Sequence, residues 1–214
     1  MKQEKPMPRR PLLEEIGNSI THGVGSIFSI LALILMLSNS QTKSEIISSI
    51  IYFLGMFILF TMSCLYHAFR YGSTVKKIFR RFDYSSIYLL IGATYTPILL
   101  CYFGGIFGTV FCIIQWIIIV TGITFVGVFG AGRLRWLHIT LYFVLGWCGV
   151  IFLPKMFTED IMFLVYILGG GIVYTLGIIP FAMKKKVSHF IWHFFVLFGS
   201  VIQWLGIYMY IYIN

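Results

Sequence analysis

Long apolar runs alternate along this chain with short polar breaks, and each run is about the length of one membrane crossing. They cover residues 16–38, 46–69, 84–102, 106–129, 134–153, 160–182 and 188–212. A helix needs about 20 apolar residues to cross a hydrocarbon core about 30 Å thick, and within lipid a helix satisfies its own backbone donors and acceptors. The pattern therefore predicts an all-α integral membrane protein built as a seven-transmembrane helix bundle. No fixed-period repeat, low-complexity tract or long linker divides the chain. Residues 1–214 are expected to form a single domain, with 1–15 as a basic segment ahead of the first crossing.

Composition agrees: 59% of residues are hydrophobic and 11% charged, against about a quarter charged in soluble domains. The net charge of +9 would suggest an anionic partner such as nucleic acid if the basic residues were clustered. Instead they fall in alternate breaks. All 16 Lys and Arg except Lys43 and Lys155 lie before the first run or after the second, fourth and sixth. The excess of positive charge on one side predicts a cytoplasmic amino terminus and, after seven crossings, a carboxyl terminus outside. Nucleic acid is thereby excluded as the reason for the charge. The first run is followed by Ser38-Asn39-Ser40 and six more runs, so it reads as a retained helix, not a cleaved signal. Cys64, Cys101, Cys112 and Cys148 have no Cys-x-x-Cys spacing and read as small apolar packing residues; of these, Cys101 and Cys112 are both expected near the outer face. Pro97 is expected to kink the third span. Glycines such as Gly23, Gly25, Gly122, Gly127, Gly169, Gly170 and Gly171 suit close helix approach.

The orientation places all five histidines at the cytoplasmic edge. There the span ends hold Glu14, Glu15, Asn18, Thr21 and His22, then Ser63 and His67, Asp83, His138, and His189 with His193. Ionisable groups at membrane depth are costly and point to function. At the outer side, Glu159 and Asp160 fit a solvated helix start. His189 and His193 are four residues apart, so their imidazoles share one helix face. With His67 from another helix they can form a three-histidine metal site that leaves one tetrahedral position open, as catalytic zinc sites do. Imidazole ligands without thiolates suit zinc.

Two readings stay open for Asp83. It is either a helix-start carboxylate paired with the neighbouring arginines or a group beside the metal that takes a proton from water. Ser63, one turn before His67, either assists that chemistry or bonds back to its own helix. His22 reads as part of a polar cluster bracing the first helix with Glu15 and Asn18. His138 reads as an interfacial residue in an aromatic and basic belt.

These residues carry a resemblance. The chain resembles the haemolysin III family, the bacterial branch of the progestin and adipoQ receptor group, in Glu15-x-x-Asn18-x-x-Thr21-His22, Ser63-x3-His67, Asp83 and His189-x3-His193. The resemblance implies zinc held by His67, His189 and His193, Asp83 beside the metal, Ser63 in the surrounding polar shell, and a resident bacterial plasma-membrane protein. It also connects the chain to a superfamily of ceramidase-like membrane hydrolases. The outer breaks are short turns, so an extracellular hormone is not expected. The expected partner is a membrane lipid or a lipid-derived substrate, hydrolysed at an amide or ester from the cytoplasmic face. Two other readings remain at this point: a membrane-homeostasis or sensor protein with structural zinc, and a cytolytic pore. A pore would more naturally need polar residues along a path across the membrane than at one face.

Overall fold

The computed structural model describes residues 7–130, 132–183 and 185–213, so the expectations placed on Lys2, Lys5 and Lys184 lie outside the described residues. Among the described residues, seven helices are long and apolar enough to cross a membrane: α1 (Leu12–Asn39), α2 (Lys43–Ala68), α3 (Thr74–Phe103), α4 (Gly105–Phe129), α5 (Arg135–Glu159), α6 (Ile161–Ala182) and α7 (Ser188–Ile213). Consecutive helices pack side by side from α1 to α3, α6 packs along α7, and α7 returns against α1 to close the bundle. The interior is filled by Met36, Tyr52, Met56, Phe60, Ile98 and Phe163, among others. Ile, Leu, Val and Phe side chains dominate the outward faces, the inverse of a soluble protein and the surface a bilayer requires.

The helices are longer than the hydropathy pattern alone predicts, and the difference matters most in α3. Its expected start was residue 84, yet the helix begins ten residues earlier, where the Ser73 hydroxyl accepts from the Lys76 N–H at 3.1 Å. Hydropathy sees only the part of a helix that matches the hydrocarbon core. The cap and the amphipathic run Val75–Phe82 carry the helix beyond it. Lys76, Lys77, Arg80 and Arg81 are therefore helical residues, not loop charges, and Asp83 lies inside the helix, not at its start. That removes the helix-start reading of Asp83.

Further along, Pro97 takes one N–H out of α3, and from Ile98 to Phe103 the helix winds as a π-helix before Gly104 (φ 61°) ends it. The Pro97 effect is thus a change of winding. Helix α5 is interrupted by a 3-10 segment at Cys148–Phe152 and continues to Glu159, six residues past its expected end. It is also the least enclosed span, with 17% of its apolar window buried. Lys155 pairs with the exposed Glu159 at 3.7 Å and Asp160 precedes α6, in keeping with a solvated turn there.

Close approach of α1 to α2 depends on Gly25, where a Cβ would stand 2.5 Å from the Phe60 ring. Gly122 and Gly170 are similarly crowded, against Tyr88 and against Gln203, whereas Gly127 and Gly171 face open space and do not serve as contact glycines. The four cysteines are free thiols. Cys64 accepts the Ser19 hydroxyl at its carbonyl (3.0 Å), a second tie between α1 and α2.

Candidate metal centre

At the basic end of the bundle, α2 and α7 bring together the three histidines singled out by spacing. His67 stands in the last turn of α2, while His189 and His193 occupy the first two turns of α7 on one face. One ring nitrogen from each falls within 4.8 Å of the others. The ring centroids lie 5.3 Å (His67 to His189), 4.7 Å (His67 to His193) and 4.9 Å (His189 to His193) apart. Each contributes a buried nitrogen with no hydrogen-bond partner, namely His67 Nε2, His189 Nε2 and His193 Nδ1. An unpaired polar atom sealed from water costs on the order of 1–3 kcal/mol. Three histidines grouped this closely, each with a nitrogen free to bind, fit a single cation, and the donor set, three imidazoles and no thiolate, fits zinc.

What fixes the ligand nitrogen of His67 is a carboxylate from α1. Its Nδ1 donates to Glu15 Oε2 at 2.5 Å, which leaves a lone pair on the buried, unpartnered Nε2 for a metal. Ligand histidines are commonly oriented by such a bond at their second nitrogen. The Asn18 amide nitrogen lies 3.2 Å from the same Nδ1, while its Oδ1 is buried without a partner. Reversing the amide, whose two ends are assigned from hydrogen bonding, turns an acceptor toward that N–H in place of a donor.

Glu14, the neighbouring acid, reaches the other ligand-bearing helix. Its Oε2 accepts the Val187 N–H at 3.2 Å, immediately ahead of α7, and Oε1 lies 3.8 Å from Arg10 Nε. Val187 itself has φ 67°, an unfavourable conformation for a β-branched residue. The acidic pair at the start of α1 thus has one carboxylate on each helix that carries histidine ligands.

Asp83 on α3 lies against the Ser63 hydroxyl and within electrostatic range of His67. Ser63 is buried. The two residues therefore border the histidine cluster from α3 and α2. Two carboxylates, not one, attend the site. Its place at the basic end of the third span pointed to Asp83; the direct partner of a histidine is Glu15.

His22 stacks on His193 with centroids 3.8 Å apart and meets Phe60 edge-on at 5.2 Å. Neither of its nitrogens has a hydrogen-bond partner, so it is a wall of the site and not the hydrogen-bonded brace expected. Nor is His138 interfacial. It is fully buried, and its Nδ1 lies 2.9 Å from the Tyr88 hydroxyl. The sequence around it, Arg135-Trp136-Leu137, looks interfacial because Trp136 and Leu137 on neighbouring positions do face outward. Neither His22 nor His138 belongs to the group of three.

Glu15 had a usable signal, since it precedes Asn18 and His22 on nearly one helix face, but its partner lies 52 positions away. Lys76 had none, because a lysine in a basic run looks like any other charge at that end of the chain's spans.

A family profile described as haemolysin-III related matches residues 11–204. The chain is 36% identical over 204 residues to Hemolysin-3 of Bacillus cereus, covering 92% of both chains. It is 35% identical over 207 residues to the Hemolysin-3 homolog of Bacillus subtilis (strain 168), covering 92% of this chain and 94% of the other. A more distant likeness, 25% over 205 residues, covers 93% of this chain and 85% of the human monocyte to macrophage differentiation factor. A seven-helix, multi-pass cell-membrane architecture and a match running almost from end to end lead to one assignment: this chain belongs to the haemolysin III family.

Proposed function

We propose that this protein is a zinc-dependent hydrolase of a lipid amide or ester, working from the cytoplasmic edge of the membrane. The reading is carried by the grouping of His67, His189 and His193, each with an unpartnered nitrogen, with Asp83 and Ser63 alongside. When bound at these nitrogens, zinc would make a water more acidic and polarise a carbonyl. The chain's own groups supply the rest. Asp83 accepts the proton of the attacking water as its oxygen bonds to the acyl carbon. The same carboxyl returns that proton to the departing nitrogen or oxygen as the C–N or C–O bond breaks, so no proton is lost. Ser63, within reach of Asp83, can donate to the carbonyl oxygen as negative charge builds there. Glu15 keeps His67 in the tautomer that presents Nε2.

An apolar groove of about 560 Å³ between α5 and α6, lined by Trp136, Ile139, Phe143, Ile178 and Ile179, offers an acyl chain a place at the outer face of these two helices. Phe181, at the same end of α6, lies 5.9 Å from His189. An acyl chain in the groove and a head group at the basic end would bring the linkage between them toward the histidines.

Asp83→Asn and His189→Ala test the reading together, with metal content and lipid hydrolysis measured on each. Asp83→Asn should keep the metal and lose hydrolysis by at least a hundredfold; His189→Ala should lose both. Full activity in a verified metal-free His189→Ala protein sinks the mechanism. The carboxylate ties from α1 to α2 and α7 favour one second reading, in which the metal is structural and the protein senses or adjusts the bilayer. Under it, Asp83→Asn leaves function intact.

A further inference from the structure

Lys76 is 1% exposed, unusual for a lysine drawn from a basic run at the edge of a membrane. A buried ammonium is tolerated only when its donors are satisfied and its charge is paired. Here both conditions are met by one small region. Nζ donates to the carbonyls of Tyr66 at 2.9 Å and Phe69 at 3.0 Å, with the His67 carbonyl at 3.4 Å. It also pairs with Glu15 Oε1 at 3.2 Å and lies 4.8 Å above the Tyr66 ring.

The three carbonyls belong to the end of α2, where the backbone lacks intrahelical partners and the helix dipole is negative. His67 stands in that turn, which would otherwise be free to fray. The carboxylate that Lys76 holds by Oε1 is the one whose Oε2 accepts from His67 Nδ1. A single ammonium therefore fixes both the backbone that carries His67 and the carboxylate that orients its ring. Its own place is set from α3, whose first turn is capped by Ser73 on the Lys76 N–H.

We infer that Lys76 is a positioning residue of the histidine centre, acting through Glu15 to hold His67 in its metal-binding orientation. The inference rests on the metal reading above and adds a residue and a route to it. It differs from simple helix capping, which any donor could supply: the charge and the link to Glu15 are what count.

Lys76→Gln keeps N–H donors for the α2 carbonyls but carries no charge, whereas Lys76→Met loses both. Full-length wild type, each variant, Glu15→Gln and the Lys76→Gln/Glu15→Gln pair would be purified in detergent. Zinc affinity is read by chelator competition, and folding by thermal unfolding of the metal-free protein. Lys76→Gln should weaken zinc binding about tenfold or more while its metal-free unfolding midpoint stays near wild type, the usual size for groups that orient ligands. In the Glu15→Gln background the same substitution should change affinity less than threefold, because its route is already cut. Should Lys76→Met fail to fold, Lys76→Gln alone decides. Unchanged affinity in Lys76→Gln, or an equal loss in both backgrounds, overturns the inference while the metal centre stands. Wild type that takes up no zinc overturns the metal reading itself.

Discussion

Replacing Glu15 by Gln isolates the bond that orients His67. The carboxylate has two acceptor oxygens and uses both, Oε2 for His67 Nδ1 at 2.5 Å and Oε1 for Lys76 Nζ at 3.2 Å. A glutamine has one acceptor and one donor end. If its oxygen faces His67, the NH2 group faces an ammonium, and a donor meets a donor. If its oxygen faces Lys76, the NH2 group meets Nδ1 and favours the tautomer with hydrogen on Nε2, the nitrogen needed for the metal. Either way one contact is lost. Orienting groups of this kind are worth about 10–100-fold in metal affinity, or about 1.4–2.7 kcal/mol at 1.36 kcal/mol per tenfold. The assay is chelator competition for zinc at neutral pH in detergent, with Glu14→Gln as the control. Glu14 accepts from a neutral backbone N–H, a bond the glutamine oxygen can keep, and gives up only the long 3.8 Å pairing with Arg10, so that variant should stay within about threefold of wild type. Glu15→Gln with wild-type affinity and an intact fold would refute the orienting role.

Other outcomes follow from the same geometry. His22→Phe should keep bound zinc within about threefold in affinity, since a phenyl ring can hold the 3.8 Å stack on His193 and no ligand is removed; loss of metal would make His22 part of the ligand set. Val187→Gly should raise the unfolding midpoint of the detergent-solubilised protein, because it relieves a left-handed strain of about 1 kcal/mol; a lowered midpoint would show that the side chain contributes more than the strain costs. Gly25→Leu should destabilise by about 1–3 kcal/mol through collision with Phe60, and thermal unfolding would detect it.

The seven spans were legible because lipid imposes a single demand, length with apolarity, that hydropathy measures directly. The histidine grouping was legible for two reasons: a four-residue interval fixes His189 and His193 on one face, and charge placement puts His67 at the same end. Helix extent was not, since Ser73 and the run after it lie outside the apolar window, and with them went the burial of Lys76 and the interior position of Asp83. Glu15 was visible only as a face shared with Asn18 and His22. Which histidine it served depended on how α1 lies against α2, a tertiary fact set by contacts such as Gly25 on Phe60. His138 was misread because its exposed neighbours describe the surface and not the residue between them.

The most direct measurement is the zinc content of the full-length protein, purified without chelators beside His67→Ala handled identically. About one equivalent of zinc per chain in wild type, with next to none in a folded His67→Ala, is the predicted result. Folded wild type without stoichiometric metal, or His67→Ala that retains it fully, would contradict a centre built on His67, His189 and His193.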